Sequence, residues 1–162
     1  MRACAFFDDF KKEKIIWIEL TDRGRFSYSD KEEYLLNSAY FLTPPLGINA
    51  KYLLGILNSK LMYVYMTYIA ATSGMGTLRW INNYVKTFPI VIDYDSNKDL
   101  IILLVDKILA IKERNPQADT SEIENQIDFL VYKLYNLTYD EVLIVDPETP
   151  ITREEYEKGE WE

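Results

Sequence analysis

Apolar residues recur at three- and four-residue spacing through the middle of the chain: Leu53/Leu54, Leu57, Leu61, Val64/Tyr65 and Tyr68 share one face. Ile56, Met62, Met66 and Ile69 fill other faces, so the pattern predicts one long helix from Ala50 to Ala71, covered on most sides. Asn49 is suited to cap its start, and Ser73-Gly74-Met75-Gly76 to end it, because glycine takes the left-handed C-cap conformation without a Cβ penalty. Such a helix would be roughly 30 Å long, the thickness of a bilayer core. Asn58, Ser59 and Lys60 at its centre argue against a membrane span.

The flanking segments read differently. Lys14 to Leu20 is β-prone with apolar residues on both faces, which predicts an interior strand. A turn at Thr21-Asp22-Arg23-Gly24 leads to a second strand over Arg25 to Ser29. Tyr34-Leu35-Leu36 and Ala39 to Leu42 are further strand candidates, closed by Pro44-Pro45. After the glycine loop, Leu78 to Ile81 is a strand candidate, Asn82 or Asn83 caps one helical turn ending near Thr87, and Phe88 to Ile92 reads as an edge strand. A helix from about Lys98 to Arg114 carries Leu100, Leu103/Leu104, Ile108 and Ile111, and a second opens with the capping box Ser121-x-x-Glu124. Thr138-x-x-Glu141 starts a short third helix that ends before Pro147, and the acidic tail beyond it is expected to be loosely held. The expected fold is α+β: a small, mostly antiparallel or mixed sheet on one long buried helix, then a C-terminal helical hairpin. Its divisions fall at 1–95, 96–146 and 147–162.

Four pieces of the sequence, in order, carry a family resemblance. They are the segment around Phe6 to Trp17, Tyr-Leu-Leu-Gly-Ile-Leu-Asn-Ser-Lys-Leu at Tyr52 to Leu61, the glycine loop with Leu78-Arg79-Trp80 and Phe88-Pro89-Ile90, and Ile123 to Thr138. Together they resemble the C-terminal target recognition domain of TaqI-like adenine methyltransferases, also found in single-chain restriction-modification enzymes and, more distantly, in Type I specificity subunits. The resemblance implies a module that reads a short double-stranded DNA sequence for a methyltransferase domain, with or without a nuclease. S-adenosylmethionine and Mg²⁺ are then expected only in those catalytic domains, and no cofactor in this chain.

Charge qualifies that expectation. The chain carries 26 acids against 18 bases, a net charge of −8, the wrong sign for holding DNA by charge alone. Residues 1–92, however, hold eleven bases and eight acids, whereas residues 93–162 hold seven bases and eighteen acids. Acidity is confined to the C-terminal part. A module attached to a larger enzyme needs few phosphate contacts of its own, since phosphate contacts position and base contacts specify. The alternative is a free-standing specificity-like subunit or protein-interaction module that docks through its helices without binding DNA unaided. With 48% hydrophobic and 14% aromatic residues the chain has the material for one real core. A single cysteine, Cys4, and no visible basic-then-apolar leader make a cytoplasmic setting the expectation.

Catalytic chemistry finds little support. There is no histidine, which removes the commonest general base and most zinc sites, and one cysteine cannot build a thiolate cluster. Asp9-Phe10-Lys11 matches the end of a restriction-nuclease metal motif, but no Pro-Asp partner precedes it. Thr43-Pro44-Pro45-Leu46 echoes the Asn-Pro-Pro-Tyr motif of adenine methyltransferases with both recognition residues replaced. Neither a catalytic nor a metal site is expected.

The binding candidates are Arg23, Arg25, Ser73, Thr77, Arg79, Asn82, Asn83 and Lys86. Arg23 and Arg25 flank Gly24 in a turn; they are either groove contacts, since arginine can donate two hydrogen bonds to guanine O6 and N7, or solvated turn residues. Ser73, Thr77 and Arg79 lie on or beside a glycine loop where backbone can approach a phosphate, or in a plain helix stop. Asn82, Asn83 and Lys86 offer amides and a cation to adenine or phosphate, with helix capping as the other account of the asparagines. Trp80 is expected to pack, because a duplex offers it no free base face.

Overall fold

The computed structural model describes residues 7–36, 38–72, 76–92 and 96–159. The chain is α+β, with three strands and seven α-helices among those residues. Strands β1 (Lys14–Ile18), β2 (Ser27–Ser29) and β3 (Ala39–Leu42) form an antiparallel sheet in the order β2-β1-β3. The interior position of β1 agrees with its two-sided apolar pattern. Ile15 and Trp17 turn one face to the core, and Trp17, opposite Tyr40 in register, stacks on it at 5.6 Å between ring centroids.

The long central helix is in fact two. Helix α1 (Ala50–Asn58) ends where Ser59 adopts ψ 152°, and α2 (Lys60–Ile69) begins at once. Ser59 makes the break inexpensive, because its hydroxyl donates to the Ile56 carbonyl and also accepts from the Met62 N–H. Both are orphan helix-end groups. Apolar spacing runs straight through this point, which is why periodicity alone predicts a continuous helix. Asn49 caps α1 as expected, accepting from the Lys51 and Tyr52 amides. Helix α1 is buried nearly all round; α2 buries Met62 and Met66 but leaves Tyr68 exposed, so the fully covered helix stops at the break.

Other expected strands do not form. Tyr34 to Leu36 lies outside the sheet, with the Tyr34 ring against Phe7 and Phe10. Leu78 and Arg79 make only single bridges, to Thr72 and Leu20. The Phe88 to Ile92 segment is held by tyrosine hydroxyls instead of a ladder: Tyr52 donates to the Val91 carbonyl and Tyr135 to the Pro89 carbonyl. Pro89 brings no N–H of its own to a ladder.

Helix α3 (Asn82–Val85) is a single turn. Helices α4 (Ser96–Arg114) and α5 (Ser121–Leu134) pack on each other and on α1. In α4 the buried ridge is Ile101, Leu104 and Val105, one step from the expected stripe, and Leu100 and Leu103 are exposed. Gly55 fixes this seating: a Cβ there would lie 2.7 Å from Ile101 Cγ2, so the Ile101 side chain of α4 packs directly on the α1 backbone. The expected capping box at Ser121 is absent. Thr120 is the N-cap residue, its hydroxyl bonds the Glu124 carboxylate, and Asp119 accepts from the Ser121 N–H. One buried cluster runs from Ile15 to Val131, across the division expected near residue 95.

Helix α6 (Tyr139–Val145) opens with the expected box of Thr138 and Glu141. The tail expected to be loose carries α7 (Arg153–Lys158), with its own capping box of Thr152 and Glu155. Ile151 and Tyr156 join Phe129, Tyr132 and Val142 in a second core. Ile151, just before the cap residue Thr152, and Tyr156 within the helix seat an otherwise acidic segment. Among the described residues no helix is long and apolar enough to cross a membrane.

Candidate nucleic-acid interface

Beyond β1 the chain continues through Glu19 and Leu20 beside the segment Leu78 to Trp80. The Trp80 amide donates to the Glu19 carbonyl at 2.7 Å, and Trp17 Nε1 donates to the Trp80 carbonyl at 2.7 Å. These bonds carry the Trp80 indole into the core, where it is 1% exposed and meets Phe26, Tyr63 and Phe88. Trp80 therefore packs, as expected. Its Nε1 has no hydrogen-bond partner among the described residues.

The turn carrying Arg23 and Arg25 folds over that indole. A Cβ on Gly24 would lie 2.3 Å from Trp80 Cζ3, so only glycine allows this approach. The other hold on the turn comes from α1, where Asn58 clasps Phe26. Asn58 Oδ1 accepts from the Phe26 N–H and Asn58 Nδ2 donates to the Phe26 carbonyl, both at 3.0 Å. Asp22 accepts from the Arg23 amide, which holds its carboxyl below the usual range, and it stands 3.6 Å from Arg25. The Arg23 guanidinium has no hydrogen-bond or ion-pair partner among the described residues.

Arg79 is anchored differently. Its Nε and Nη2 both donate to Glu19 Oε1, at 3.1 and 2.5 Å, while Tyr40 donates to Glu19 Oε2. The hydrogen bond from Arg79 holds the Glu19 carboxyl below its ordinary pKa, and the same bond raises that of Arg79. Two of the five guanidinium donors are used, and the side chain is 49% exposed. Arg79 is thus oriented by the sheet with donors left over for a ligand.

Gly24, between Arg23 and Arg25, lies against the Trp80 indole, and Arg79 precedes Trp80 in the chain; no hydrogen bond or ion pair among the described residues joins Arg79 to the arginine turn. Asn82, Asn83 and Lys86 lie exposed on or just after α3, and no hydrogen bond or ion pair among the described residues ties their side chains to the arginine turn. Neither asparagine caps α3, since its N-cap residue is Ile81, without a side-chain bond. Thr77 is half-buried, and Ser73 lies outside the described residues. Sequence reading missed Glu19 and Asn58. Glu19 follows an apolar strand, where one acid has the pattern of an ordinary surface residue; only the fold brings Arg79 to it, sixty positions away.

A groove leads from the arginine turn between α1, α4 and α5. Arg23, Arg25, Lys60 and Lys112 line it with Glu124 and Asp128, above Leu54, Val105 and Ile108. At its inner end Lys60 reaches Asp146 at 2.7 Å and Asn125 at 3.1 Å, and its backbone N–H donates to Asp128. Burial pushes the Asp128 carboxyl up to about 7, against the opposing effects of the Lys60 amide and ammonium.

The sequence model of one family, the TaqI-like C-terminal specificity domain, matches residues 3–90, more than half of the 162-residue chain. The chain belongs to that family. The match spans every candidate contact and also Glu19, Gly24, Asn58 and Trp80, whereas α4 to α7 lie beyond it. Membership gives this TaqI-like specificity domain a role in DNA target recognition in restriction-modification enzymes, in association with a methyltransferase.

Proposed function

We propose that this chain reads a short double-stranded DNA sequence and positions a separate adenine-N6 methyltransferase domain on it, with or without a nuclease domain. Arg23, Arg25 and Arg79 are its base or phosphate contacts, together with Lys86. Ser73, Thr77, Asn82 and Asn83 extend that set along the neighbouring loop and turn. The chain has no active site of its own in this reading; S-adenosylmethionine and Mg²⁺ belong to the catalytic domains, in a bacterial cytoplasm.

The observation that carries the proposal is the arginine turn seated on the buried Trp80 indole, with Arg79, one residue before Trp80, aimed by Glu19, all within the residues that match the family. The arginine guanidinium groups are the side chains best suited to pair with guanine edges or phosphates. The test is duplex binding across a salt series. Binding should weaken with a log–log slope of about −0.9 per phosphate contacted, and Arg79→Ala should relax the preference at one base position. Salt-independent association, or unchanged affinity and preference in Arg79→Ala, would reject the assignment.

A second reading is favoured by the exposed Leu100 and Leu103 on α4, in the acidic part of the chain. There the helices dock a partner domain and the chain does not bind DNA unaided. That reading predicts no duplex binding by the chain alone.

A further inference from the structure

We propose that Asn58 is a positioning residue for sequence reading: from α1 it sets where Arg23 and Arg25 point. This inference rests on the DNA-reading role of the arginine turn.

The geometry is a two-sided hold. The turn from Asp22 to Phe26 leaves the Trp80 indole below Gly24, with no room for a Cβ. At its far end the turn enters β2, and there the Asn58 carboxamide takes both the N–H and the C=O of Phe26. A primary amide that pairs with both the N–H and the C=O of one residue reproduces a ladder pair, so the clasp does for Phe26 what a neighbouring strand would do. Asn58 also donates to the Leu54 carbonyl at 3.2 Å, which ties the carboxamide to its own helix.

Asn58 is available for this because α1 stops there. Ser59 breaks the helix, so Asn58 is the last residue of α1 and its side chain projects from the helix end toward β2. In an uninterrupted helix the same carboxamide would sit mid-helix, where asparagine is unfavourable. The Asn58 side chain has no charge and Arg23 no partner among the described residues, so Asn58 acts on the arginines through backbone placement and not through an ion pair. Holding a contact in place before binding raises discrimination, because its ordering need not occur in the complex.

The test is a double-mutant cycle on the full chain with Arg23→Ala, Asn58→Ala and the pair. The probe is a duplex selected by the wild-type chain from a pool with a randomised centre, compared with the same duplex carrying single-base changes. Arg23→Ala should lower discrimination at one position by about ten- to a hundredfold. In the Asn58→Ala background the same change should cost less than about threefold, because the arginine is no longer placed. Asn58→Asp sets a carboxylate oxygen against the Phe26 and Leu54 carbonyls that the amide now bonds, and should release the turn as Asn58→Ala does. Hydrogen exchange at the Phe26 amide, faster in Asn58→Ala while the Trp80 fluorescence stays native, separates loss of the clasp from loss of the fold.

Equal cost of Arg23→Ala in both backgrounds overturns the positioning role while leaving the reading by the turn intact. No effect of Arg23→Ala and Arg25→Ala in the wild-type background, or no enrichment from the pool, overturns the reading and this inference with it.

Discussion

Gly24 lies flat on the indole of Trp80, so close that a single methyl group would come within 2.3 Å of the ring. The ring cannot yield, since Phe26, Tyr63 and Phe88 enclose it. Gly24→Ala should therefore shift the turn outward and cost about 1–3 kcal/mol in stability, the usual range for overpacking. Urea unfolding measures the cost. A parallel loss of base preference with retained low-salt affinity would show that the turn moved while the charges stayed.

Glu19 both orients Arg79 and neutralises it. Glu19→Gln should leave folding nearly unchanged, raise affinity for arbitrary duplex at low salt, and blur preference at the position Arg79 reads. Competition between cognate and scrambled duplexes at two salt concentrations measures the affinity and the preference, and urea unfolding the stability. A gain in preference would mean that Glu19 was screening Arg79 without aiming it. Because its carboxyl is held below the ordinary pKa, the pair should persist as pH falls to about 4.5, the ordinary glutamate value.

Asp128 makes stability depend on pH in the opposite sense from a paired surface carboxylate. Its folded pKa of about 7 stands above the unfolded value of about 3.9, so folding retains a proton that the unfolded chain releases. The contribution is fully present below the unfolded value and is lost as pH rises toward 7. Lys60, Asp146, Glu124 and Tyr132 face the same carboxyl and share in the titration. Asp128→Asn should flatten the fall in stability between about pH 4 and 7, while its side-chain oxygen still accepts from the Lys60 amide. Chemical denaturation across that range gives the slopes; identical slopes in the two proteins would remove Asp128 as the source.

Tyr156 is 3% exposed, donates to the Leu137 carbonyl at 2.6 Å and lies 3.8 Å below the Lys133 ammonium. Tyr156→Ala should cost about 3–5 kcal/mol, as for other buried aromatics, and Tyr156→Phe about 1 kcal/mol for the lost hydrogen bond. Both are read from urea midpoints. A loss of less than 1 kcal/mol in Tyr156→Ala would mean that α7 is not part of the cooperative fold.

What sequence alone conveys here depends on whether a signal is local. The caps at Asn49 and Thr138, the interior character of β1 and the span of β3 were all legible, because each follows from residues within one turn or one strand. The helix break at Ser59 was not, since the apolar spacing runs straight through it and the partners of its flanking residues, Phe26 and Asp128, are distant in sequence. The tail was misjudged for a related reason: its composition is acidic, but Ile151 and Tyr156 meet Phe129 and Tyr132 only after α5 has formed. Among the site residues, the arginines were visible as residue types flanking Gly24 in a turn, but the close approach of Gly24 to Trp80 was not. Their supports, Glu19 and Asn58, became visible only when the fold joined elements that are 32 and 60 residues apart.

Lys60 begins α2 inside the matched family region, yet the oxygens that satisfy it belong to Asn125, Asp128 and Asp146, well beyond residue 90. A fragment cut at the family boundary would keep the lysine and lose all three, along with the α4 surface that covers Gly55. The segment that matches the family is therefore shorter than the one that contains the buried partners it needs.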